Sequence, residues 1–160
     1  MKLGKTYALA ISNSMKHLQN LKVVDLPGNR FGEEGGAAIL SSLADNVKSI
    51  NLNNNKIGSE SLLKLVTWID NNPVRCLLEE LSLENNNIGD SFVLTLTDSL
   101  MRSQAPIRTL NLSRNNITDA GAVYLSDILS TNYHMKNFKI SWNKIKGRGG
   151  ISIAEALKDS

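Results

Sequence analysis

The chain has 160 residues, enough for one compact domain with a buried core, and its single cysteine, Cys76, excludes an internal disulfide. Lysines and arginines are scattered among acidic residues to give a formal net charge of +3, and aromatic residues are only 5%, a composition that disfavours a nucleic-acid partner. No stretch approaches the roughly 18 consecutive apolar residues of a membrane span, so we expect a cytoplasmic protein with no membrane partner.

The first predicted element is a helix within residues 5–20. Apolar residues recur there at helical spacing, which predicts a single buried stripe. The stripe consists of Ala8, Ile11, Met15 and Leu18. Because no strand pattern precedes this helix, we expect residues 1–20 to form the helical part of an incomplete leading unit.

From residue 21 onward, an eleven-residue pattern occurs five times, and its first positions are 26, 31, 29 and 28 residues apart. Its order is apolar-x-x-apolar-x-apolar-x-x-Asn-x-apolar. A repeat of this length predicts a solenoid, in which each unit buries its apolar face against its neighbours. The first and last residues of the copies are Leu21 and Phe31, Val47 and Ile57, Leu78 and Ile88, Ile107 and Ile117, and Met135 and Ile145.

Each unit is predicted to contain one strand and one helix. Its fourth and sixth positions are apolar, so both side chains point to the same face of a short strand. After a turn, apolar residues recur at i, i+3 and i+7, as on one face of a helix. Crossovers between parallel strands are right-handed, which gives the solenoid its hand. The helical stripes are Gly36, Ile39 and Leu43; Leu62, Leu65 and Ile69; Val93, Leu96 and Leu100; Ala122, Leu125 and Leu129; and Gly150, Ile153 and Leu157.

An asparagine stands in every copy where the chain leaves the strand. Its carboxamide both donates and accepts hydrogen bonds, and backbone groups of adjacent coils would otherwise be unpaired there. We interpret these side chains as a structural ladder rather than as ligand-binding groups. The ladder residues are Asn29, Asn55, Asn86, Asn115 and Asn143.

The turns after the ladder contain small and capping residues. Gly32, Gly58 and Gly89 follow the last apolar position, where we expect a positive φ. The glycine-rich stretch at 147–150 does not have the order of a phosphate-binding loop, so it predicts close packing at a helix start. Candidate helix caps are Asp90, Thr118 and Asp119.

These five copies resemble the leucine-rich repeat family over nearly the whole chain, and their period with one helix per unit is similar to the ribonuclease-inhibitor-like subclass. The resemblance implies an α/β fold: a right-handed horseshoe segment with a parallel sheet on the concave face and helices on the convex face. It further implies one domain over residues 1–160, with repeats starting near 21, 47, 78, 107 and 135. Ribonuclease inhibitors often alternate asparagine with cysteine in the ladder, and the constant asparagine here argues against close kinship with them.

Neither end of the array shows an amphipathic unit with a polar outer face, which solenoids normally need as a cap. We therefore expect the chain to be part of a longer array, or to associate with itself through its uncapped ends.

Residues between the inward positions of the strands must face outward on the concave sheet. They change from acidic in the early copies to basic in the later ones, and Trp142 adds an aromatic side chain of the kind found in interface hot spots. The sequence supports both an exposed Trp142 ring and one folded over Asn143. The candidate binding residues are Asp25, Asn51, Glu80, Ser82, Glu84, Asn111, Arg114, Lys139 and Trp142.

Catalysis requires titratable groups that converge, and the sequence provides few. His17 lies on the first helix and His134 precedes the fifth strand, so they cannot share a metal ion. Cys76 has no paired base and reads as a small buried residue. The sequence therefore predicts no catalytic residue, no metal site and no cofactor.

The resemblance implies a non-catalytic scaffold that binds a protein or peptide on its concave sheet. Members of similar architecture include NOD-like receptors, tropomodulins and cytoskeletal or axonemal subunits. Two alternatives stay open: a regulator of a small GTPase in trans, as in the Ran GTPase-activating protein, and a structural spacer in a larger cytoskeletal or signalling assembly. No residue of this chain matches a catalytic motif of that regulator.

Overall fold

The structure, a computed structural model, describes residues 4–72 and 76–158, where five strands alternate with six helices. Residues 1–3 of the predicted leading unit lie outside this description. The helices are α1 (Gly4–Met15), α2 (Gly32–Leu40), α3 (Ser59–Asp70), α4 (Asp90–Ser103), α5 (Asp119–Thr131) and α6 (Gly147–Ala156). The strands are β1 (Val23–Asp25), β2 (Ser49–Asn51), β3 (Glu80–Ser82), β4 (Thr109–Asn111) and β5 (Asn137–Lys139).

The strands form one parallel sheet in the order β1-β2-β3-β4-β5. Equivalent residues of the repeats are paired without slippage, since each strand begins the same number of residues into its copy. We call the copies coils 1 to 5. Each coil therefore adds one strand to the sheet and one helix to the layer behind it, which confirms the predicted right-handed α/β solenoid with its sheet on the concave face.

The core lies between the sheet and the helices. The inward residues directly after β2, β3 and β4 are Leu52, Leu83 and Leu112, and they are fully buried because each lies between two neighbouring coils. Phe138 and Ile140 of coil 5 are only partly buried. Their second neighbouring coil is missing from the described residues.

Four residues of the predicted helical stripes lie elsewhere. Leu18 and Leu43 come after the ends of α1 and α2, because the chain already turns at these points. On α6 the buried residues are Gly149, Ile153 and Ala156, whereas Gly150 is exposed and Leu157 is exposed directly after the helix end. The prediction was wrong for Gly150 because its position faces the following coil, as Gly36 of α2 faces Ile57 of the next coil. The described residues contain no coil after coil 5.

The glycines of the turns differ from the sequence prediction in conformation. Gly32 has a φ of +66°, but Gly58 and Gly89 have φ of −105° and −113°, in extended backbone that any residue adopts. Both precede a helix directly, and residues at this position normally have an extended conformation. The prediction of positive φ was therefore correct for one glycine of the three.

Candidate functional site

The concave face of the sheet presents columns of outward side chains that run across the coils. Strand pairing places Asp25, Asn51, Ser82, Asn111 and Lys139 side by side in one column. A shallow trough on this face is lined by residues of β1 to β4. The structure thus brings the sequence-predicted residues of the strands together on one surface that no helix covers.

Asn111 differs from the other predicted residues because it is only 7% exposed. Its amide nitrogen donates to Ser82 Oγ and to Glu84 Oε2, each at 3.2 Å, and its side-chain oxygen accepts from the Ser113 amide at 3.1 Å. These bonds hold the side chain against the sheet. Asn111 therefore orders its neighbours, and its part in partner binding stays a prediction.

Charged residues at the strand starts form a cluster around Glu79. Its carboxylate contacts Lys48 Nζ at 2.9 Å and Arg108 Nε at 3.3 Å, on the two neighbouring coils. The hydrogen bond from Lys48, with the two positive charges, lowers the pKa of Glu79 below its ordinary value. One carboxylate thus serves two cations, which leaves a positive excess in this cluster.

A second chain of contacts crosses coils 3 to 5 at the strand ends. Arg114 Nε lies 3.2 Å from Glu84 Oε1, and its guanidinium carbon lies 5.3 Å from the centroid of the Trp142 ring. The Trp142 residue is 75% exposed. Of the two positions that the sequence allowed for this ring, the structure has the exposed one, with a cation–π contact to Arg114. The sequence predicted acidic residues in the early coils and basic residues in the later ones, and the ion pair between Glu84 and Arg114 lies where these two regions meet.

The residue before each ladder asparagine has a left-handed backbone conformation. Glycine and asparagine tolerate this conformation, whereas it costs about 1 kcal/mol for a residue with a larger side chain. Arg114 and Trp142 are the large residues in this column, and neither is buried in return. The φ angles are +74° at Gly28, +58° at Asn54, +56° at Asn85, +55° at Arg114 and +59° at Trp142.

The ladder asparagines connect successive coils through their carboxamides. The Asn29, Asn55 and Asn86 amides donate to the side-chain oxygen of the next asparagine, at 2.9, 3.0 and 3.0 Å. Asn143 continues the series by accepting from the Ile117 amide at 3.1 Å. The side-chain nitrogens of Asn86 and Asn115 donate to the backbone carbonyls of Leu52 and Leu83. Each accepting side-chain oxygen is thus bonded to a backbone amide of the preceding coil.

Carboxylates at the helix starts form a second connection between coils, which the sequence analysis missed. Glu33 accepts from the Gly58 amide and Ser61 Oγ, each at 2.6 Å, and Asp90 accepts from the Thr118 amide at 2.8 Å. Asp119 accepts from the Lys146 amide at 2.5 Å. Each carboxylate thus binds the first turn of the next coil's helix, where unpaired amides favour negative charge. The signal was an acidic residue at the same position of three copies.

These contacts revise the predicted caps. The Thr118 hydroxyl accepts from the Ala120 amide at 3.3 Å, so Thr118 is the cap of α5. Asp90 and Asp119 instead serve the coil that follows their own. The residues predicted as caps do bind backbone amides at helix starts, but Asp90 and Asp119 bind those of the following coil rather than those of their own helix.

Glu33 gives the protein a predicted dependence on pH. Partial burial raises the pKa of Glu33, but hydrogen bonds from Ser61, Gly58 and Glu60 outweigh it and leave the pKa below its ordinary value of 4.5. The ionised carboxylate therefore stabilises the fold above this value, and the stabilisation is lost as pH falls through the lowered pKa. We expect Glu33→Gln to lower the urea midpoint at pH 7, and we expect this effect to become smaller as the pH is lowered from 7 to 3. An equal loss at both pH values, or the same pattern in the control Glu60→Gln, would contradict this role.

The candidate catalytic residues do not come together. His17 is exposed after α1, and His134 is exposed after α5. Cys76 is buried, and this burial raises the pKa of its thiol. Within residues 4–72 and 76–158, no group of three or more histidine, cysteine or acidic side chains is arranged to hold a metal ion. None of the helices in these ranges is long and apolar enough to cross a membrane.

Comparison with known proteins gives a family match along the chain. A family profile described as "Leucine Rich repeat" matches five segments, at residues 17–40, 45–66, 76–91, 104–126 and 131–154. These segments contain all five strands and cover more than half of the chain.

Relatives and a solved structure agree with this match. FERM domain-containing protein C of Dictyostelium discoideum is 30% identical over 98% of this chain and 10% of that protein. The ribonuclease inhibitor of Mus musculus is 26% identical over 88% of this chain and 31% of the inhibitor. The chain thus spans less than a third of the length of either. The tropomodulin C-terminal domain of Caenorhabditis elegans shares the fold, with a TM-score of 0.74, 16% identity, and coverage of 95% of this chain and 92% of that domain.

Proposed function

Because the chain belongs to the leucine-rich repeat family, with the character of its ribonuclease-inhibitor-like members, we propose that it is a non-catalytic scaffold that binds a protein or peptide partner on its concave sheet. This fold is typical of protein–protein interaction scaffolds. The observation that carries the proposal is a five-stranded sheet whose outward side chains are mostly polar and which no helix within residues 4–72 and 76–158 covers.

The order of this face supports binding. Asn51 Nδ2 donates to Asp25 Oδ1 at 2.8 Å, and Ser49 Oγ donates to Glu80 Oε2 at 2.9 Å, so side chains of neighbouring coils hold one another in place. Association costs less side-chain entropy when the side chains of the binding face are already held in place. Each coil is bonded to the next, which makes the sheet rigid along its whole length.

A matched pair of variants tests the proposal. A displayed random-peptide library is selected against the chain, and the affinity of the selected peptides is measured for Ser49→Arg/Thr109→Arg on the sheet and Thr67→Arg/Ser130→Arg on the helices. We expect the sheet variant to weaken binding at least about tenfold, or about 1.4 kcal/mol, and the helix variant to change it little. Loss of binding in the helix variant alone would contradict the proposal, and binding that neither variant changes would favour a structural spacer.

We also propose that a further coil of the same kind packs on the open face of coil 5. In support, Phe138 and Ile140 are only partly buried, and Ile151 of α6 is 59% exposed. Such a coil belongs either to a longer array or to a second copy. Sedimentation over a wide concentration range tests the second possibility: self-association should be abolished by Ile151→Lys and retained in the control Val123→Lys.

We further propose that this scaffold acts in the cytoplasm. The supporting observation is that the chain has a single cysteine, Cys76, which cannot form an internal disulfide. A reducing compartment suits a protein with this single thiol. Imaging of the tagged protein at its native expression level tests the location, and detection of the protein outside the cell would overturn this proposal.

A further inference from the structure

Charge is distributed unevenly along the sheet face. The strand segments at 107–114 and 135–142 contain four cations and no acidic residue, whereas the segment at 78–85 contains three glutamates. Two of these glutamates form ion pairs, Glu79 with Lys48 and Arg108 and Glu84 with Arg114, and Glu80 accepts a hydrogen bond from Ser49 Oγ. In the part of the chain that the structure describes, the exposed ammonium groups of Lys136 and Lys139 have no ion pair. Positive charge is therefore in excess over coils 4 and 5.

Trp142 is a second, independent sign of binding at the same place. Coils 1 to 3 have glycine or asparagine at its position, residues that tolerate the left-handed backbone there. Trp142 adopts this unfavourable conformation, with a φ of +59°, and remains 75% exposed. A bulky residue that is both strained and exposed contributes little to folding, and strain of this kind is concentrated at functional positions.

We propose that Arg114, Lys136, Lys139 and Trp142 form a basic end of the sheet face that binds an acidic polypeptide segment, with an aliphatic or aromatic side chain of that segment packed on the Trp142 ring. The inference rests on the proposed function and specifies its partner. The unpaired ammonium groups would attract carboxylates of the segment, and Arg114, held between Glu84 and Trp142, would keep the ring in place.

Selection of displayed random peptides tests the charge of the partner. Two charge-reversal variants are compared with the native chain: Lys136→Glu/Lys139→Glu in the basic end, and Asp25→Lys/Glu80→Lys in coils 1 and 3. We expect selected peptides with net negative charge and an aromatic or aliphatic residue, and at least about tenfold weaker binding to the first variant only.

The outcomes separate this inference from the proposed function. Basic or uncharged peptides that lose affinity for Asp25→Lys/Glu80→Lys would overturn the inference and leave the scaffold function intact. Peptides whose binding no sheet-face variant changes would overturn both. A single-stranded oligothymidylate that binds the basic end more tightly than the selected peptides would also overturn the inference, because the partner would then be a nucleic acid.

The role of Trp142 is tested by Trp142→Asn, which introduces the residue found at Asn54 and Asn85. We expect at least about tenfold weaker binding of the selected peptides with an unchanged or higher melting temperature. Tyr133→Asn is the matched control, since Tyr133 is an aromatic residue that is 87% exposed away from the sheet strands. Unchanged binding, or weaker binding together with a lower melting temperature, would overturn the anchoring role.

Discussion

Replacement of Asn86 by alanine is expected to lower the free energy of unfolding by about 3 kcal/mol. Asn86 is fully buried, and its side-chain oxygen accepts from the Asn55 amide at 3.0 Å and the Ile57 amide at 3.2 Å. Its side-chain nitrogen donates to Leu52 O at 2.8 Å and Glu84 O at 3.2 Å. Alanine leaves two donors and one acceptor without partners at the junction of coils 2 and 3, since Glu84 O still accepts from the Asn54 amide at 2.8 Å. Each unpaired buried group is costly.

The matched control is Asn29→Ala, at the same position of coil 1. Asn29 is only partly buried, and its side-chain nitrogen donates to Leu26 O and Pro27 O of its own turn. We therefore expect a loss below about 1 kcal/mol. Urea unfolding followed by circular dichroism measures both variants. Equal losses would show that the ladder bonds between coils contribute nothing beyond those within a turn.

Adjacent glycines of α6 are expected to respond to alanine with opposite signs. A Cβ atom on Gly149 would lie 2.8 Å from the Asp119 Cα and 2.8 Å from the Ala122 Cβ, so α6 must move away from α5. This overpacking should cost about 2 kcal/mol, only partly offset by the better helix propensity of alanine. A Cβ atom on Gly150 would contact nothing within 4 Å. Gly150→Ala should therefore stabilise the chain by about 0.5 to 1 kcal/mol.

Thermal unfolding distinguishes these two variants directly, since about 1 kcal/mol corresponds to roughly 2 to 4 °C in a domain of this size. The melting temperature should fall for Gly149→Ala and rise for Gly150→Ala. A fall of similar size in both would mean that α6 is not packed on α5 through Gly149. The reversed order would support the stripe that the sequence analysis predicted, with Gly150 inward.

The fold was predictable because one pattern is repeated five times. A single apolar alternation, such as that of Leu110 and Leu112, is ambiguous, but its recurrence at a constant offset from an asparagine predicts both strand and register. The pairing of Val24, Ile50, Leu81, Leu110 and Phe138 follows from that offset.

Other features depend on contacts between coils, which a single copy does not encode. Gly149 rather than Gly150 is buried because α6 has a neighbour on one side only among the described residues. The carboxylates of Glu33 and Asp90 bind the next helix rather than their own, which depends on how the coils are stacked. The exposed ring of Trp142 and its contact with Arg114 likewise depend on the distance between neighbouring turns.

The two connections between coils explain how a polar sheet face remains available. The asparagine ladder and the carboxylates of the helix starts both lie after the strands, so they connect the coils outside the sheet face. Lys139 and Trp142 take no part in the hydrogen bonds between coils that Asn86 and Asp90 form. Lys136, Lys139 and Trp142, which are proposed to bind a partner, are therefore separate from the residues of the ladder and of the helix starts, and the two sets can be varied independently.

Amide chemical-shift mapping tests the central claim most directly. The ¹⁵N-labelled chain is titrated with a selected peptide, and the shift of every assigned amide is followed to saturation. Binding on the concave sheet predicts the largest changes at residues 80–85, 109–114 and 136–142, with small changes along α2 to α5. Changes confined to the helices, with the strand amides unmoved, would contradict the account.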